Sequence, residues 1–313
     1  MDLAGEIADL VVQIPPGRVA TFADVAAGLG DPRAAMAVFR ILRESPVAGM
    51  HRVVRASAHV AFPRAAGMLR QEGVPVSNRQ VDDLERRRWR EFSGPRTLKR
   101  LREEQMRLAA SVDGTDRVNE PERIAAFDVS YDGDTAFAAG VVTDVTGERM
   151  LQEVCIRTPV GFPYIPGYLA YREFPAIDAC FRRLDPPPDL LMIDGHGILH
   201  PARFGIASYA GVMLDRPSIG VAKSLLVGTP GPTPANTGAW TAVRVGRETL
   251  GAGLRSGRSR RLIYVSVGHG VSLRTAIRIT TRLCKTRIPE PIRRADLRSK
   301  NEKRKWKKKR IEF

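Results

Sequence analysis

Apolar residues recur at helical spacing over residues 2–13, and Ile14-Pro-Pro-Gly17 stops that run. Thr21 is placed to cap a helix over 22–29. Gly30 ends it, and Asp31-Pro32 opens a second helix over 33–43. Two short helices about a glycine turn have the outline of a helix-turn-helix, whose second helix can enter a nucleic-acid groove; an ordinary helical hairpin has the same outline. Charged Arg86-Arg-Arg-Trp-Arg-Glu-Phe-Ser-Gly-Pro95 then marks a boundary. Residues 97–112 form an amphipathic helix with Leu98, Leu101, Met106 and Leu108 on one side, and 114–122 read as a polar loop.

Beyond residue 123 the period changes. Short β-rich runs at 124–131, 136–143 and 151–158 are separated by Asp-Gly or Thr-Gly turns, as in an antiparallel meander. A helix over 168–184 stops at Asp185-Pro-Pro-Pro188, and 189–193 is an almost wholly apolar strand suited to a sheet centre. Strands at 217–221, 240–245 and 263–267 and a helix over 273–284 follow. Hairpins first and strand–helix alternation later predict the α/β class, a mixed sheet flanked by helices. The expected domains are 1–92, 93–298 and a tail, 299–313.

The chain has 313 residues, enough for two cores, with 50 basic and 34 acidic side chains, a formal +16. Such an excess makes a polyanion the first partner to consider. The last 23 residues hold 11 bases and three acids (+8), half of the net charge, and read as a solvated, mobile arm that could add phosphate affinity by counterion release. No apolar run is long enough to span a membrane, and the N-terminus carries acids where a secretory signal carries bases. Cys155, Cys180 and Cys284 form neither a metal spacing nor a disulfide framework, so a reducing, cytoplasmic setting is expected.

Asp128 lies inside an apolar strand and Asp194 at the end of another. A bare carboxylate there costs several kcal/mol unless it is paired or bound to a cation. Two in one domain point to a shared divalent ion such as Mg²⁺, with Glu173 as a third oxygen donor; aspartates that merely cap turns are the alternative. Lys223 is the only lysine between Lys99 and Lys285 and follows a strand, where an ammonium could reach a phosphate. His196 or His200 could orient a water or a phosphate, or be a satisfied loop histidine. In Gly161-Phe-Pro-Tyr-Ile-Pro-Gly167, two prolines stiffen a turn expected to present both Tyr164 and Ile165, a device suited to unstacking a duplex.

Two resemblances sharpen this. Ile14–Ala26, Gly30–Ala35, His51-Arg-Val-Val54 and Gln71-Glu-Gly73 resemble the DNA-binding domain of O6-alkylguanine-DNA alkyltransferases, over roughly residues 3–80. The resemblance implies a small winged helix-turn-helix-type domain that binds DNA through Phe22, Arg33, Met36 and Arg40. The acceptor cysteine is replaced by Met50, and a thioether cannot form the thiolate that alkyl transfer needs. His51, which would have been that cysteine's base, is expected to be a structural, hydrogen-bonded histidine. Phe127-Asp-Val-Ser-Tyr131, Phe162–Pro175, Asp194-Gly-His-Gly-Ile-Leu-His-Pro201, Arg203–Ala207, Ile219–Ser224, Val265–His269 and Arg287-Ile-Pro-Glu-Pro291 resemble endonuclease V over about 96–298. That resemblance implies an RNase H-like fold and a nuclease that recognises deoxyinosine and, with Mg²⁺ (Mn²⁺ substituting), cuts the second phosphodiester 3′ to it, leaving 3′-hydroxyl and 5′-phosphate ends. It implies Asp128, Asp194 and Glu173 as catalytic metal ligands, with His200 and Lys223 facing the phosphate. Pro163, Tyr164, Ile165 and Pro166 would form a strand-separating wedge, and Gly167, Leu169, Gly195, Gly205 and Leu226 a pocket for a flipped base. The expected partner is single- or double-stranded DNA with deaminated bases, taken by a monomer. Inosine-containing RNA and a non-catalytic alkylguanine-binding role are the alternatives.

Overall fold

The computed structural model describes residues 2–311, with side chains through 308. It divides into two compact units, Met1–Glu104 with Phe162–Pro166, and Gln105–Gly161 with Gly167–Phe313.

The first unit opens with α1 (Leu3–Val12), capped by Asp2, whose carboxylate accepts the Gly5 N–H at 2.8 Å. Strand β1 (Ala20–Thr21) runs into α2 (Phe22–Gly28). Thr21 and Asp24 make a reciprocal capping box there, and Arg88 holds the same Asp24 at 2.8 Å. A 3₁₀ turn, Pro32–Ala34, precedes α3 (Ala35–Glu44), so the expected second helix starts two residues late. Ala37, Val38 and Leu42 bury one face of α3, leaving Met36 and Arg40 on the solvent face. Strand β2 (Val53–Val54) pairs in parallel with β1. Helix α4 (Ala65–Gln71), the hairpin β3 (Val76–Ser77) and β4 (Gln80–Val81), α5 (Leu84–Arg87) and α6 (Thr97–Ala109) complete the run. Ile7, Leu10, Val25, Leu42 and Leu69 are fully buried.

The division thus falls inside α6 and not at the expected residue 92. The first turn of α6 is tied to the preceding residues: Leu98 N–H donates to the Leu29 carbonyl at 2.9 Å, and Thr97 N–H to Glu6 Oε1 at 3.2 Å. Tertiary hydrogen bonds of this kind leave no trace in composition.

The second unit is built on a nine-stranded mixed sheet. Its elements are β5 (Ile124–Asp132), β6 (Thr135–Thr143), β7 (Met150–Pro159), α7 (Leu169–Phe181), β8 (Leu190–Asp194), α8 (Ile206–Leu214), β9 (Ser218–Ala222), β10 (Thr229–Pro230), β11 (Trp240–Val245), β12 (Glu248–Leu254), β13 (Ile263–His269), α9 (Leu273–Leu283) and α10 (Glu290–Ile311). The strand order is β10-β11-β12-β13-β9-β8-β5-β6-β7, with β5, β8 and β9 parallel and the other pairs antiparallel. Alternation assigns the faces. Ile124, Ala126, Leu190 and Met192 join one core with residues of α9 and α10 (Ile277, Ile292, Ala295), while Ala125, Phe127, Leu191 and Ile193 join another with residues of α7 and α8 (Ile177, Tyr209).

The C-terminal basic run departs from expectation. Where it is described the run is helical: its residues are the final turns of the 22-residue α10. Ile292, Ala295, Ser299 and Trp306, spaced by multiples of a helical turn, face inward. Trp306 lies 6.5 Å from the Phe137 ring and under the Arg157 guanidinium at 3.9 Å, and Lys307 pairs with Asp132 at 3.0 Å. A density of like charge hid this sparse inner stripe.

Candidate active site

Register brings the first two carboxylates together. Parallel β5 and β8 pair Ile124 with Leu190 through Phe127 with Ile193, so Asp128 and Asp194 follow at one level on adjacent strands. Both have the parity of the core face that packs α10. Lys223, just past β9, puts its Nζ 2.5 Å from Asp194 Oδ2. Glu173 comes from α7, in the other layer, where Tyr131 donates its hydroxyl to Glu173 Oε1 at 3.1 Å and the Arg172 guanidinium lies over the Tyr131 ring at 4.1 Å.

Two further side chains at this site escaped sequence reasoning, because both lie on α10 within the C-terminal stretch read as a mobile arm. Ser299, wholly buried, donates to Asp128 Oδ2 at 2.5 Å and shares a 2.7 Å hydroxyl–hydroxyl bond with Ser130. Asp296 is near enough for its charge to act on both Asp128 and Lys223. The inner stripe of α10 was the signal that could have exposed them.

The electrostatics describe a site short of positive charge. Burial holds the Asp128 carboxyl above its ordinary range; the Ser299 hydrogen bond opposes this, and Asp194 and Asp296 add to it. Glu173 is pushed up to about 8 by burial, against the Tyr131 hydrogen bond and with help from Asp128 and Asp194. For Lys223, burial disfavours the charged form, but Asp194, Asp296 and Asp128 outweigh it and the ammonium titrates above its ordinary value. Asp194, Asp296 and Asp128 all act on the Lys223 ammonium, while Asp296 also pairs with Lys300 at 2.7 Å and Glu173 feels the Arg172 guanidinium. Among the described residues no three His, Cys, Asp or Glu side chains are already drawn together as a metal cluster. Instead, the carboxylates approach from two layers and feel one another's charge, which suits a divalent ion that would draw them in.

A family model for endonuclease V matches residues 106–297, well over half of the chain. The chain belongs to the endonuclease V family. A second model, the DNA-binding domain of 6-O-methylguanine DNA methyltransferase, matches residues 2–74. Endonuclease V of Roseiflexus castenholzii is 46% identical over 193 residues, 61% of this chain and 87% of that protein. A bifunctional methyltransferase/endonuclease of Picrophilus torridus is 37% identical over 237 residues, 73% and 77% of the two chains. Among solved structures, Ciona intestinalis endonuclease V in complex with a 24mer DNA containing an inosine followed by a ribo-adenosine has a TM-score of 0.61 at 26% identity, covering 66% of this chain and 98% of that one.

The remaining expected residues of this endonuclease V chain fall as follows. His200 is buried, and its Nδ1 accepts the Ala202 N–H at 3.2 Å, leaving Nε2 as the donor. His196 Nε2 donates to the Ser224 carbonyl at 3.0 Å, and burial lowers that ring's pKa below its ordinary value. The turn at 163–166 does not present two side chains: Tyr164 is 55% exposed, whereas Ile165 and Phe162 are buried. Phe162–Pro166 belongs to the first unit, whose packing takes in Phe162 and Ile165 and leaves Tyr164 outside. Of the expected lesion-pocket residues, Leu226 is exposed and Gly167 and Leu169 are half-buried. Gly195 is half-buried as well. Gly205 is buried, and a Cβ there would meet His196 O at 2.3 Å, so its place is close backbone packing.

In the methyltransferase-like segment, Met50 opens a 3₁₀ turn and His51, buried, pairs with Glu72 Oε1 at 2.8 Å. Arg52 grips the same carboxylate at 2.7 Å and holds Glu72 at about 2. Phe22 is buried in a ring cluster with Phe39 and Phe62, and beside it a cavity of about 430 Å³ is lined by Phe22, Met36, Phe39 and Arg55. Arg33 is committed to Asp31 at 2.6 Å, whereas Met36 and Arg40 share the exposed face of α3.

Proposed function

We propose that this chain is an inosine-directed DNA repair endonuclease that uses Mg²⁺, with Mn²⁺ able to replace it. It hydrolyses the second phosphodiester 3′ to the lesion and leaves 3′-hydroxyl and 5′-phosphate ends. The observation that carries the reading is the pairing of Asp128 and Asp194 at one level of two parallel strands, with Lys223 on Asp194 and the carboxyl groups of Glu173 and Asp296 close enough to act on them. The same strand order, an antiparallel meander leading into parallel strands, supports an RNase H-like core.

Asp128, Asp194 and Glu173 would hold the ion. A divalent ion in such a site stabilises charge on the phosphate and makes water a better nucleophile at neutral pH. Ser299 orients Asp128 through Oδ2, leaving its other oxygen free. Glu173, protonated near neutrality, can surrender its proton when positive charge arrives. The Lys223 ammonium would bind a non-bridging phosphate oxygen, and the His200 Nε2–H would orient the phosphate. Tyr164, held between Pro163 and Pro166 and backed by buried Phe162 and Ile165, supports a wedge role, and Gly167, Leu169, Gly195, Gly205 and Leu226 are proposed to shape the base pocket.

The first unit is proposed to bind DNA in a winged helix-turn-helix manner through Met36 and Arg40 on α3, with Phe22 and Arg33 supporting that face from within. It cannot transfer alkyl groups, because Met50 offers no thiol. The chain would act as a monomer. The Ciona intestinalis complex has a ribo-adenosine after the inosine of its DNA, which favours a second reading, cleavage of inosine-containing RNA. A labelled duplex with one deoxyinosine, and its counterpart with ribonucleotides, should be incubated with and without Mg²⁺ and the cut mapped. Nicking at the second phosphodiester, lost on Asp194→Ala while DNA binding persists, is expected. No product, or a cut elsewhere, would overturn the assignment.

A further inference from the structure

Helix α10 serves two ends at once. Its inner stripe enters the catalytic centre, with Asp296 acting on Asp128 and Lys223 and the Ser299 hydroxyl on Asp128. Its outer side then carries Lys300, Arg304, Lys305, Lys307 and Lys308, all exposed. Two of these cations are already engaged: Lys300 with Asp296 at 2.7 Å and Lys307 with Asp132 at 3.0 Å. Among the described residues no carboxylate pairs with Arg304, Lys305 or Lys308. Arg304 and Lys308 are also like charges one helical turn apart, an arrangement with a cost of its own. Nothing within the described fold repays that cost; a polyanion would.

The geometry suits a nucleic-acid backbone. At about 1.5 Å per residue, Ser299 to Lys308 covers roughly 13 Å, the axial length of about four base steps of a duplex. The track begins at Asp128 and runs to the level of Asp132, because Ser299 and Lys307 bond those two residues of β5. Trp306, between the Phe137 ring and the Arg157 guanidinium, holds the helix down, so the cations stand on a rigid element. The apolar stripe of α10 is already spent on the sheet, which leaves no face for insertion into a lipid surface.

We propose that α10 beyond Ser299 is a phosphate rail: Arg304, Lys305 and Lys308 bind the backbone of the nucleic-acid strand as it leaves the cleavage centre, independently of its sequence. The inference rests on the nuclease reading of that centre. It differs from a general basic tail in having a fixed origin, a fixed direction and three named contacts.

The test is the salt dependence of duplex binding by the full chain without divalent ions, for wild type and the triple variant Arg304→Gln, Lys305→Gln, Lys308→Gln. Three lost phosphate contacts should flatten the plot of log K against log salt by about 2.7, at about 0.9 per contact, which corresponds to a loss on the order of 100-fold at 0.15 M salt. Duplexes with and without deoxyinosine should weaken equally, and in nicking assays the loss should fall on KM. The charge-conserving variant Arg304→Lys, Lys305→Arg, Lys308→Arg should keep the wild-type slope. An unchanged slope in the triple variant, a loss confined to the inosine duplex, or an equal loss in the charge-conserving variant would each overturn the rail. If the wild-type chain fails to nick inosine DNA, the nuclease reading falls, while the slopes still decide whether these residues bind phosphates.

Discussion

Replacing Ser299 with alanine isolates one hydrogen bond at the centre of the site. The Ser299 hydroxyl is fully buried and donates to Asp128 Oδ2 at 2.5 Å, the bond that offsets the burial of Asp128. A hydrogen bond to a charged group contributes about 1.5–3 kcal/mol, and without it a buried carboxylate keeps its desolvation cost with no return. Burial, Asp194 and Asp296 would then raise the Asp128 carboxyl further. Ser130 would also lose its 2.7 Å partner. At 1.4 kcal/mol per factor of ten, Mg²⁺ affinity should fall about 10- to 100-fold. Titration calorimetry of the metal on the purified chain measures this directly, alongside the Mg²⁺ concentration that half-saturates nicking. Ser299→Thr, which keeps the hydroxyl, should retain affinity if the added methyl is accommodated, and melting curves report whether it is. Wild-type Mg²⁺ affinity in a folded Ser299→Ala variant would refute the claim that α10 supports the metal site.

Glu173 sets a pH dependence. Its folded value of about 8 lies above the ordinary value of 4.5, so its stabilising contribution is complete below about pH 4.5 and is lost as pH rises towards 8. In chelator, Glu173→Gln should therefore gain stability over wild type by up to about 3 kcal/mol between pH 5 and pH 7.5 while losing nicking; a pH-independent difference in chemical denaturation would count against it. Gly197→Ala places a Cβ 1.8 Å from the Val267 carbonyl oxygen, in backbone that cannot swing aside, and should destabilise by more than about 3 kcal/mol, read as a lowered denaturation midpoint or loss of soluble protein. Trp306→Ala removes the anchor of the last turns of α10 and should cost about 1–3 kcal/mol while speeding amide exchange there; unchanged exchange would show that the ring contacts do not hold the helix.

Much of this molecule was legible along the chain. Short β-rich runs between turn residues located β5 and β6, an almost wholly apolar run located β8, and Asp128 and Asp194 stood out because a carboxylate in an apolar run needs an explanation. The Pro-bounded turn, the lone Lys223 and the thioether at Met50 were equally visible, since each is a local anomaly of composition. What lay beyond the sequence was whatever depends on distant segments meeting. Parallel register, which sets Asp128 level with Asp194, is a property of two strands separated by more than sixty residues. Ser299 and Asp296 gain their positions only because α10 returns to the face that carries Asp128, and Ile165 is buried in a segment, Phe162–Pro166, that joins the distant first unit. Local chemistry announces which groups are costly to bury; only packing decides which other groups relieve that cost.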